Sequence, residues 1–516
     1  MRFLLMILQA VALGCASAAA GRRVMHYLQL ESYQLPGYVK SVKRNAARAF
    51  LPSVAMAAAG VAALVVSGLS GLALLLEALM ALLLVVRASR EKAKKPFVVT
   101  ERVKRLIAIH AAVNTLLAFI LLWISPVLAY LLPAFEPVLL MLAAVIAAPL
   151  EKHIANQFVK DAQARLDAMP SLIKIGITGS YGKTSTKFLL RDILSVKYSV
   201  LATPSSFNTT MGVTRVIREQ LTPAHQVFIA EMGARHVGDI KELVELVHPS
   251  MGLITSVGPQ HLDTFGTIER VRDTKYELID GLPKDGTAIF ARDGAICEEL
   301  YARCPLEHKY MPGMLVDAKD IASGPWGTRF TLVDTQTGEQ APCQTRLLGE
   351  HSISNLLLCC TAARALGMTL EEIALGVSHC QPVEHRLELL DGGAGISIID
   401  DAFNANPVGA QCALRVIAGF PGRRIIITPG MVELGGEEAA FNRKFGEQMA
   451  KSVDVAILVG KKHTQPIVEG LKNAGFPQEN IHVVGNLEES TTLLHSIMKA
   501  GDVVLYENDL PDNYSE

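Results

Sequence analysis

The chain lacks the cysteine patterns that metal ribbons and dithiol redox sites require. It has eight cysteines in 516 residues, and no two of them form a Cys-x-x-Cys pair. Pairs at that spacing are the usual sign of a zinc site or a redox motif. We therefore expect reduced thiols in a core, with no zinc ribbon and no disulfide framework. The seven cysteines of the second half are Cys297, Cys304, Cys343, Cys359, Cys360, Cys380 and Cys412.

The chain also lacks an excess of either charge. Its 49 Lys and Arg residues are balanced by 50 Asp and Glu residues, so the formal net charge is −1. A nucleic-acid-binding domain needs a basic surface to neutralise phosphates. The composition therefore predicts no nucleic-acid partner.

What the chain does have is long apolar runs, and they are concentrated before residue 150. Five of them are close to the ~20 residues that cross a bilayer as a helix. They predict a multi-span α-helical membrane region over residues 1–150. The five runs are residues 2–20, 51–67, 70–86, 106–124 and 127–149.

Basic residues predict how this region is oriented. The link at 21–50 carries six Lys or Arg residues against one acid, Glu31, and the link at 87–105 carries eight. The connections near Ser70 and Ser125 are short and uncharged. Because basic loops stay in the cytoplasm, we expect a multi-pass protein of the cell (plasma) membrane, in contact with membrane lipid. Everything after about residue 150 would then be cytoplasmic.

Two features of the apolar half have alternative interpretations. The small residues at 15–21 also resemble a signal-peptide cleavage site, although cleavage would leave the topology of the rest unchanged. Ionisable or amide side chains inside or beside the runs are costly in a membrane and often functional. They would either join helices or handle a lipid-linked substrate. These residues are Glu77, His110, Asn114 and Glu136.

Residues 175–187, Ile-Gly-Ile-Thr-Gly-Ser-Tyr-Gly-Lys-Thr-Ser-Thr-Lys, predict a phosphate-binding loop between a strand and a helix. Inward N–H groups, a lysine, a Mg²⁺-binding hydroxyl and a helix N-terminus are what a triphosphate needs. The general Walker spacing fails because Ile177 stands at its first position, while the shorter Thr-Gly-x-x-Gly-Lys-Thr fits. The alternative is a glycine-rich turn that binds nothing. The predicted nucleotide contacts are Thr178, Gly179, Ser180, Tyr181, Gly182, Lys183, Thr184 and Ser185.

From about residue 170 short β-rich runs alternate with helical segments, which predicts an α/β fold with mostly parallel sheet. We place a central ATP-binding domain at 170–345 and a Rossmann-like carboxy-terminal domain at 346–516. A loop-rich stretch near 310–345 and a helix at 351–366 lie near this boundary. The predicted strands are 172–177, 226–231, 252–256, 287–291, 395–400, 424–428, 454–459, 481–484 and 502–506.

An ordered set of short segments follows the phosphate loop. As a set, this chain resembles the Mur ligase family over roughly residues 170–505, and within it the members that add D-alanyl-D-alanine. The segments are Ser-Phe-Asn-Thr-Thr-Met-Gly-Val (206–213), Ala-Glu-Met-Gly-Ala (230–234), His-Leu-Asp-Thr-Phe-Gly-Thr (261–267), Asp-Thr-Lys-Tyr-Glu-Leu (273–278), Gly-Glu-His-Ser-Ile-Ser-Asn (349–355), His-Arg (385–386), Asp-Asp-Ala-Phe-Asn-Ala-Asn-Pro (400–407) and Gly-Met-Val-Glu-Leu-Gly (430–435).

The resemblance implies ATP-dependent amide (peptide) formation in peptidoglycan-precursor synthesis. A carboxylate does not react with amines at neutral pH, so ATP first converts it to an acyl phosphate. Catalysis is then mainly positioning and charge neutralisation. The expected substrates are a muropeptide, either a small molecule or lipid-linked, and an amino acid or dipeptide such as D-alanyl-D-alanine. ATP and Mg²⁺ are the expected cofactors.

The resemblance also implies roles for individual residues. Lys183, Lys275 and His261 would be catalytic, and Thr184, Glu231, His261 and Lys275 would bind Mg²⁺, with Lys275 carbamylated so that it carries a negative charge. The alternatives are a solvated helix residue for Lys275 and a core histidine for His261. Elsewhere, Asn208 and Thr209 would face the substrate, Asn355 the adenine, Arg386 the phosphates, Asp401 the ribose and Asn404 the base or its surroundings.

Two departures from the family leave the substrates open. Residues 150–170 leave no room for the small domain that holds a UDP-sugar in soluble members, and the apolar runs stand in its place. Residues 506–514 form an acidic tail where the resemblance predicts a basic turn. Three interpretations remain: a membrane-bound ligase of cell-wall precursors, a poly-glutamate-synthase-like ligase of another envelope polymer, and a degenerate ligase that serves as a transporter or scaffold.

Overall fold

A computed structural model of the chain divides it into two compact units, Met1–Gln157 and Phe158–Glu516. The residues that it describes are 2–90, 96–205, 207–260, 262–324, 327–382, 385–402, 407–432, 434–460 and 463–508.

The first unit is helical throughout its described elements. Five of its helices are long and apolar enough to cross a membrane by length and composition, and each predicted apolar run lies within one or two helices. The last run, 127–149, covers two helices and the short 3-10 helix at Leu132–Phe135 between them. The helices are α1 (Arg2–Ala20), α2 (Arg22–Leu30), α3 (Leu35–Arg44), α4 (Ala46–Ser67), α5 (Ser70–Arg90), α6 (Glu101–Ile124), α7 (Pro126–Tyr130) and α8 (Glu136–Asp167).

The polar side chains singled out in this unit are buried between helices. His110 Nε2 lies 2.7 Å from Glu136 Oε2, which joins α6 to the start of α8. Glu77 on α5 packs against Gly60 on α4, where a Cβ atom would come within 2.2 Å of the Glu77 carboxylate. These contacts agree with the interpretation that such residues join helices.

The second unit begins with a six-stranded parallel sheet. Its apolar strands are covered on both faces, as expected for a buried parallel sheet, and the four strands predicted here are confirmed at β1, β3, β4 and β5. The strand order is β2-β3-β1-β4-β5-β6. The strands are β1 (Ile173–Thr178), β2 (Val200–Ala202), β3 (Val227–Glu231), β4 (Met251–Ile254), β5 (Thr287–Phe290) and β6 (His308–Tyr310).

The prediction of a loop-rich stretch near 310–345 is wrong. This stretch contains an antiparallel three-stranded sheet of β7 (Val316–Gly324), β8 (Gly327–Asp334) and β9 (Gln340–Thr345). Polar residues and Pro342 obscure it in the sequence, but β9 alternates exposed and buried side chains with the two-residue period of a half-buried strand.

Helices cover both faces of the first sheet, and its core continues beyond the predicted domain boundary at residue 346. Buried residues from Ile175 to Cys380 form one cluster, which includes the helix predicted at 351–366. The core of the first sheet therefore includes buried residues as far along the chain as Cys380. The helices are α9 (Lys183–Leu194), α10 (Thr210–Gln220), α11 (Asp239–Val247), α12 (Leu262–Phe265), α13 (Ile268–Asp280), α14 (Ala295–Arg303), α15 (Glu350–Ala365) and α16 (Leu370–His379).

A second six-stranded sheet forms the carboxy-terminal part, with order β10-β11-β15-β12-β13-β14. Its pairs are parallel except β10 with β11, and the five strands predicted here are confirmed at β11 to β15. Short 3-10 helices lie at Gly435–Glu437 and Gln478–Asn480. The elements are β10 (Glu388–Asp391), β11 (Ser397–Asp401), α17 (Pro407–Ala418), β12 (Arg424–Thr428), α18 (Glu438–Ser452), β13 (Val455–Val459), α19 (Gln465–Asn473), β14 (Ile481–Val484), α20 (Leu487–Ile497) and β15 (Val503–Glu507).

Candidate active site

The phosphate loop follows β1 at the carboxyl edge of the first sheet. Strand β1 pairs with β3 on one side and with β4 on the other, so the strand order changes direction at β1. Open parallel sheets bind ligands at such a switch point, outside the carboxyl ends of their strands. The predicted loop is therefore where an α/β fold places a nucleotide.

Two glycines shape the loop. Gly179 and Gly182 have φ of 150° and 80°, which side chains rarely tolerate. A Cβ atom would lie 2.1 Å from Thr255 Oγ1 at Gly179 and 2.8 Å from Asn355 Oδ1 at Gly182. The loop thus requires glycine at both positions, for its turn and for the close approach of neighbouring side chains.

The segment after β4 holds the loop in place. The Ser180 hydroxyl donates to the Gly258 carbonyl and accepts from the Gly258 N–H, each at 3.0 Å. The Tyr181 N–H donates to Ser256 Oγ at 2.9 Å. On the other side, the Thr178 hydroxyl donates to the Met232 carbonyl at 2.9 Å. These bonds organise the loop from two neighbouring strands.

Helix α9 begins at Lys183, so Lys183, Thr184 and Ser185 form its first turn. Lys183 Nζ donates to the carbonyl of Gly179 at 2.7 Å. Burial lowers the pKa of Lys183 to about 8, opposed by the negative charge of Glu231 and assisted by the positive charge of Arg386. A desolvated lysine at a helix N-terminus is suited to binding a phosphate group.

Glu231, at the end of β3, is the centre of a buried polar cluster. Its carboxylate accepts from the Thr184 hydroxyl at 3.0 Å and from Asn208 Nδ2 at 3.1 Å. Lys187 Nζ lies 2.9 Å from the same carboxylate and also donates to the Ser205 carbonyl. The structure thus brings together Thr184 and Glu231, which were both predicted to bind Mg²⁺, and Asn208, which was predicted to face the substrate.

Sequence reasoning missed Lys187. It lies one helical turn after Lys183 and its side chain is fully buried against Glu231. Burial lowers its pKa, and the Glu231 carboxylate opposes this effect. The available signal was weak: a lysine four residues after the loop lysine, on the same face of the helix.

Lys275 is buried on α13, with 2% of its surface exposed. This excludes the alternative of a solvated helix residue. Burial lowers the pKa of Lys275 to about 7, and the positive charge of Lys183 acts in the same direction. Two residues predicted as binding residues, Lys183 and Lys275, are thus close enough to influence each other electrostatically.

The substrate-facing prediction falls on a structured turn. The Asn208 carbonyl accepts from the Gly233 N–H at 2.8 Å. The Thr209 hydroxyl caps α10 by accepting from the Gly212 N–H at 3.3 Å. The Asn208 side chain therefore contacts the Glu231 cluster, while the Thr209 side chain caps the N-terminus of α10.

Asn355 on α15 lies beside the phosphate loop. Its Oδ1 accepts from the Thr186 hydroxyl at 3.4 Å and packs against Gly182. His261 and Asn404, which were predicted to bind metal and base, lie outside the described residues.

A buried acidic pair lies at the carboxyl end of the second sheet. Asp401 on β11 is the register partner of Glu507 on β15. Burial raises the pKa of Asp401 to about 6, and the Arg386 guanidinium opposes it. Burial, and then the Asp401 charge, raise the pKa of Glu507 well above its ordinary value, so we infer that Glu507 holds the shared proton. Sequence reasoning missed Glu507.

The residues present fit a nucleotide and Mg²⁺. The Thr184 hydroxyl and the Glu231 carboxylate are oxygen donors, as this cation prefers, and they meet directly below the loop. Among the described side chains, no three His, Cys, Asp or Glu residues form a metal cluster. Phosphate oxygens and water would supply further ligands to a Mg²⁺ ion held by Thr184 and Glu231.

Comparison with known proteins agrees with this geometry. The Mur ligase middle domain matches residues 177–363, and the Mur ligase, glutamate ligase domain matches residues 385–506. The UDP-N-acetylmuramoyl-tripeptide--D-alanyl-D-alanine ligase of Mycobacterium bovis is 30% identical over 362 residues, covering 64% of this chain and 69% of the relative.

Solved structures share the fold. MurF from Acinetobacter baumannii superimposes with a TM-score of 0.61 at 25% identity, covering 69% of this chain and 77% of that protein. MurF from Thermotoga maritima, solved in complex with ADP, gives a TM-score of 0.60 at 24% identity, covering 69% and 80%. Two matched domains cover more than half of the sequence, and the structure has a phosphate loop at the switch point with a buried glutamate beside it. The chain therefore belongs to the Mur ligase family of ATP-dependent amide ligases.

Proposed function

We propose that this protein joins an amine to the carboxylate of a muramoyl peptide in peptidoglycan-precursor synthesis, using ATP. The observation that carries the proposal is the set of Thr184, Lys187 and Asn208 around Glu231, directly beside the phosphate loop. The relatives named as D-alanyl-D-alanine ligases support D-alanyl-D-alanine as the amine.

The reaction would proceed in two steps. The γ-phosphoryl group passes from ATP to a carboxylate oxygen of the muramoyl peptide, and ADP leaves. The amine then attacks the carbonyl carbon, inorganic phosphate leaves, and the amine nitrogen loses a proton. Both steps are limited by charge repulsion and alignment, so buried cations and fixed donors are the expected catalytic devices.

Each residue at the loop has a role in this scheme. Lys183 would hold the outer phosphates, and the loop N–H groups would hold the inner ones. Thr184 and Glu231 would hold Mg²⁺, which when bound neutralises charge on the phosphate oxygens. Lys187 would fix the orientation of Glu231, since its Nζ lies 2.9 Å from that carboxylate.

Lys275 is proposed to be carbamylated. Carbamylation requires the neutral amine, and a pKa of about 7 leaves a large neutral fraction at physiological pH. The product would carry a negative charge next to Lys183 and would relieve the repulsion between two buried cations. It would thereby become a further oxygen ligand for a metal ion.

The first unit is proposed to anchor the enzyme in the plasma membrane, with the second unit in the cytoplasm. Its five long apolar helices and the basic links at 21–50 and 87–105 support this topology. The family match begins only at residue 177. A lipid-linked muropeptide would therefore be presented to the enzyme by the membrane itself.

A second candidate differs only in the amine. Residues 506–514 carry acidic side chains where the resemblance predicts a basic turn, which argues for a different amine, as in a poly-glutamate-synthase-like ligase. Such an enzyme would build another envelope polymer. A screen of amino acids and dipeptides as co-substrates separates the two candidates.

The decisive experiment measures phosphate release from ATP by the purified full-length protein. UDP-muramoyl-tripeptide or its lipid-linked form is supplied, each with and without D-alanyl-D-alanine, and the product is weighed by mass spectrometry. A product heavier by one dipeptide residue, absent in Lys183→Ala, is the expected result. ATP binding without turnover in any combination would refute the cell-wall substrate.

A further inference from the structure

A cavity of about 320 Å³ lies within the first unit, where the α2–α3 turn meets α6 and α8. Its polar side is formed by Tyr33, Gln34, Arg102 and Glu151. Its volume is at the lower end of the range that holds small ligands. The mechanism proposed above does not use it.

The cavity carries one arginine, Arg102, whose guanidinium forms an ion pair but no hydrogen bond among the described residues. Arg105 binds Glu151 with two hydrogen bonds of 2.6 and 2.8 Å, which satisfies that carboxylate. Arg102 Nε is 3.8 Å from the same carboxylate, beyond hydrogen-bond distance. Its guanidinium carbon lies over the Tyr33 ring, 3.9 Å from the centroid.

This arrangement suits a phosphate group. A guanidinium stacked on an aromatic ring is held in one plane, and its edge presents a fork of N–H donors. Among the described residues, that guanidinium has the ion pair with Glu151 at 3.8 Å and no hydrogen bond, so its N–H groups can donate to a ligand. Arg–phosphate pairs are among the strongest charge-assisted contacts in proteins.

The opposite wall suits a hydrocarbon chain. Leu106, Ala144, Ala147 and Ala148 line it, and the small alanines leave space along α8. In the proposed topology Arg102 lies in the first turn of a span that starts on the cytoplasmic side. A basic group at that depth, with apolar walls beside it, is positioned for a lipid headgroup and its tail.

We propose that this cavity binds the phosphate group of a membrane lipid, with the lipid chain along Ala144 and Ala147. The inference rests on the proposed membrane function and deepens it: a polyisoprenyl phosphate carrier here would hold the acceptor substrate at the membrane. An anionic phospholipid offers the same phosphate chemistry.

The test titrates the full-length protein in detergent with undecaprenyl phosphate and with dioleoyl-phosphatidylglycerol. Arg102→Gln is expected to weaken the binding of both by roughly 10-fold or more, as expected when a charge-assisted contact is lost. The matched control is Arg90→Gln, an exposed arginine at the end of α5, outside the cavity lining. It should bind as the wild type does. Ala144→Phe, which fills the apolar side, should also weaken binding and provides a second test should Arg102→Gln fail to fold.

The outcomes are distinct. Tighter binding of undecaprenyl phosphate assigns the site to the carrier, and tighter binding of phosphatidylglycerol assigns it to bulk lipid. Equal binding by wild type, Arg102→Gln and Ala144→Phe overturns the site, as does full displacement of the lipid by inorganic phosphate. Wild-type turnover with D-alanyl-D-alanine is measured on the same preparation, with UDP-muramoyl-tripeptide and with its lipid-linked form. Absence of turnover with both acceptors would refute the ligase proposal and leave the lipid-binding result standing.

Discussion

The buried Lys187–Glu231 pair offers a direct test of how the catalytic site is built. Their side chains are 0% and 1% exposed, and Lys187 Nζ lies 2.9 Å from Glu231 Oε2. Lys187→Met removes one partner and leaves the other charge uncompensated, which typically costs about 3–5 kcal/mol. Because Thr184 and Asn208 still donate to Glu231, we expect a loss near the lower end, about 3 kcal/mol.

A double variant separates the charge effect from simple loss of packing. In Lys187→Met/Glu231→Gln the uncompensated carboxylate is replaced by a neutral amide. We expect the double variant to be about 1–2 kcal/mol more stable than Lys187→Met alone. The remaining deficit comes from the lost hydrogen bond to the Ser205 carbonyl.

The free energy of unfolding of the second unit is measured by pulse proteolysis of the full-length protein in detergent and graded urea. The matched control is Lys197→Met, which breaks a pair with Glu372 at 3.3 Å whose side chains are 35% and 33% exposed. Partly exposed pairs contribute little, so this variant should stay within about 1 kcal/mol of the wild type. A double variant no more stable than Lys187→Met would refute the assignment of a buried charge pair.

Three further predictions concern Lys275, Gly182 and Glu507. As the pH rises through about 7, Lys275 loses its proton, so added bicarbonate should increase the turnover rate. Lys275→Ala should reduce the turnover rate about 100-fold or more. A ¹³C-bicarbonate NMR spectrum without a carbamate signal would contradict this prediction. Gly182→Ala should weaken ATP binding by calorimetry about 10-fold, from backbone strain and the 2.8 Å approach to Asn355, whereas Gly238→Ala, with φ of 93° but no neighbour within 4 Å, should not. Burial raises the pKa of Glu507 above its ordinary 4.5. Above that pH the unfolded chain releases the proton of Glu507, whereas the folded protein keeps it. The stability of the wild type should therefore fall as the pH rises. The free energy of unfolding is measured by urea titration at pH 5 and 8. Relative to the wild type, Glu507→Gln should be more stable at pH 8 than at pH 5. The same difference in free energy at both pH values would count against a protonated Glu507.

The elements that could be predicted from sequence are those with strong local signals. Strands β1 and β3 consist mostly of buried apolar residues, and the phosphate loop has fixed glycine positions. Strand β9 was missed because only alternate residues, Ala341 and Cys343 among them, are buried. Half-buried strands with polar residues and a proline resemble loops when read along a single sequence.

Lys187 and Glu507 could not be predicted for a different reason. Each is an ordinary charged residue in its local sequence, and its burial depends on a distant strand. Lys187 is buried because β3 lies beside β1 and brings Glu231 to it. Glu507 meets Asp401 only because β15 pairs with β11. Such residues become recognisable when the strand order is known, since that order places distant charges together.

The position of Asn355 indicates which part of the chain would contact each part of the nucleotide. Asn355 lies on α15, whose neighbours Ile353 and Leu356 belong to the core around the phosphate loop, whereas Asp401 lies on the second sheet. In the proposed roles, Asn355 would contact adenine from the core that holds the phosphate loop, whereas Arg386, Asp401 and Asn404 would contact the phosphates, the ribose and the base from the carboxy-terminal part. ATP bound at the phosphate loop would then gain further contacts from the carboxy-terminal part, so that mutations in the two parts should change ATP affinity and turnover to different degrees.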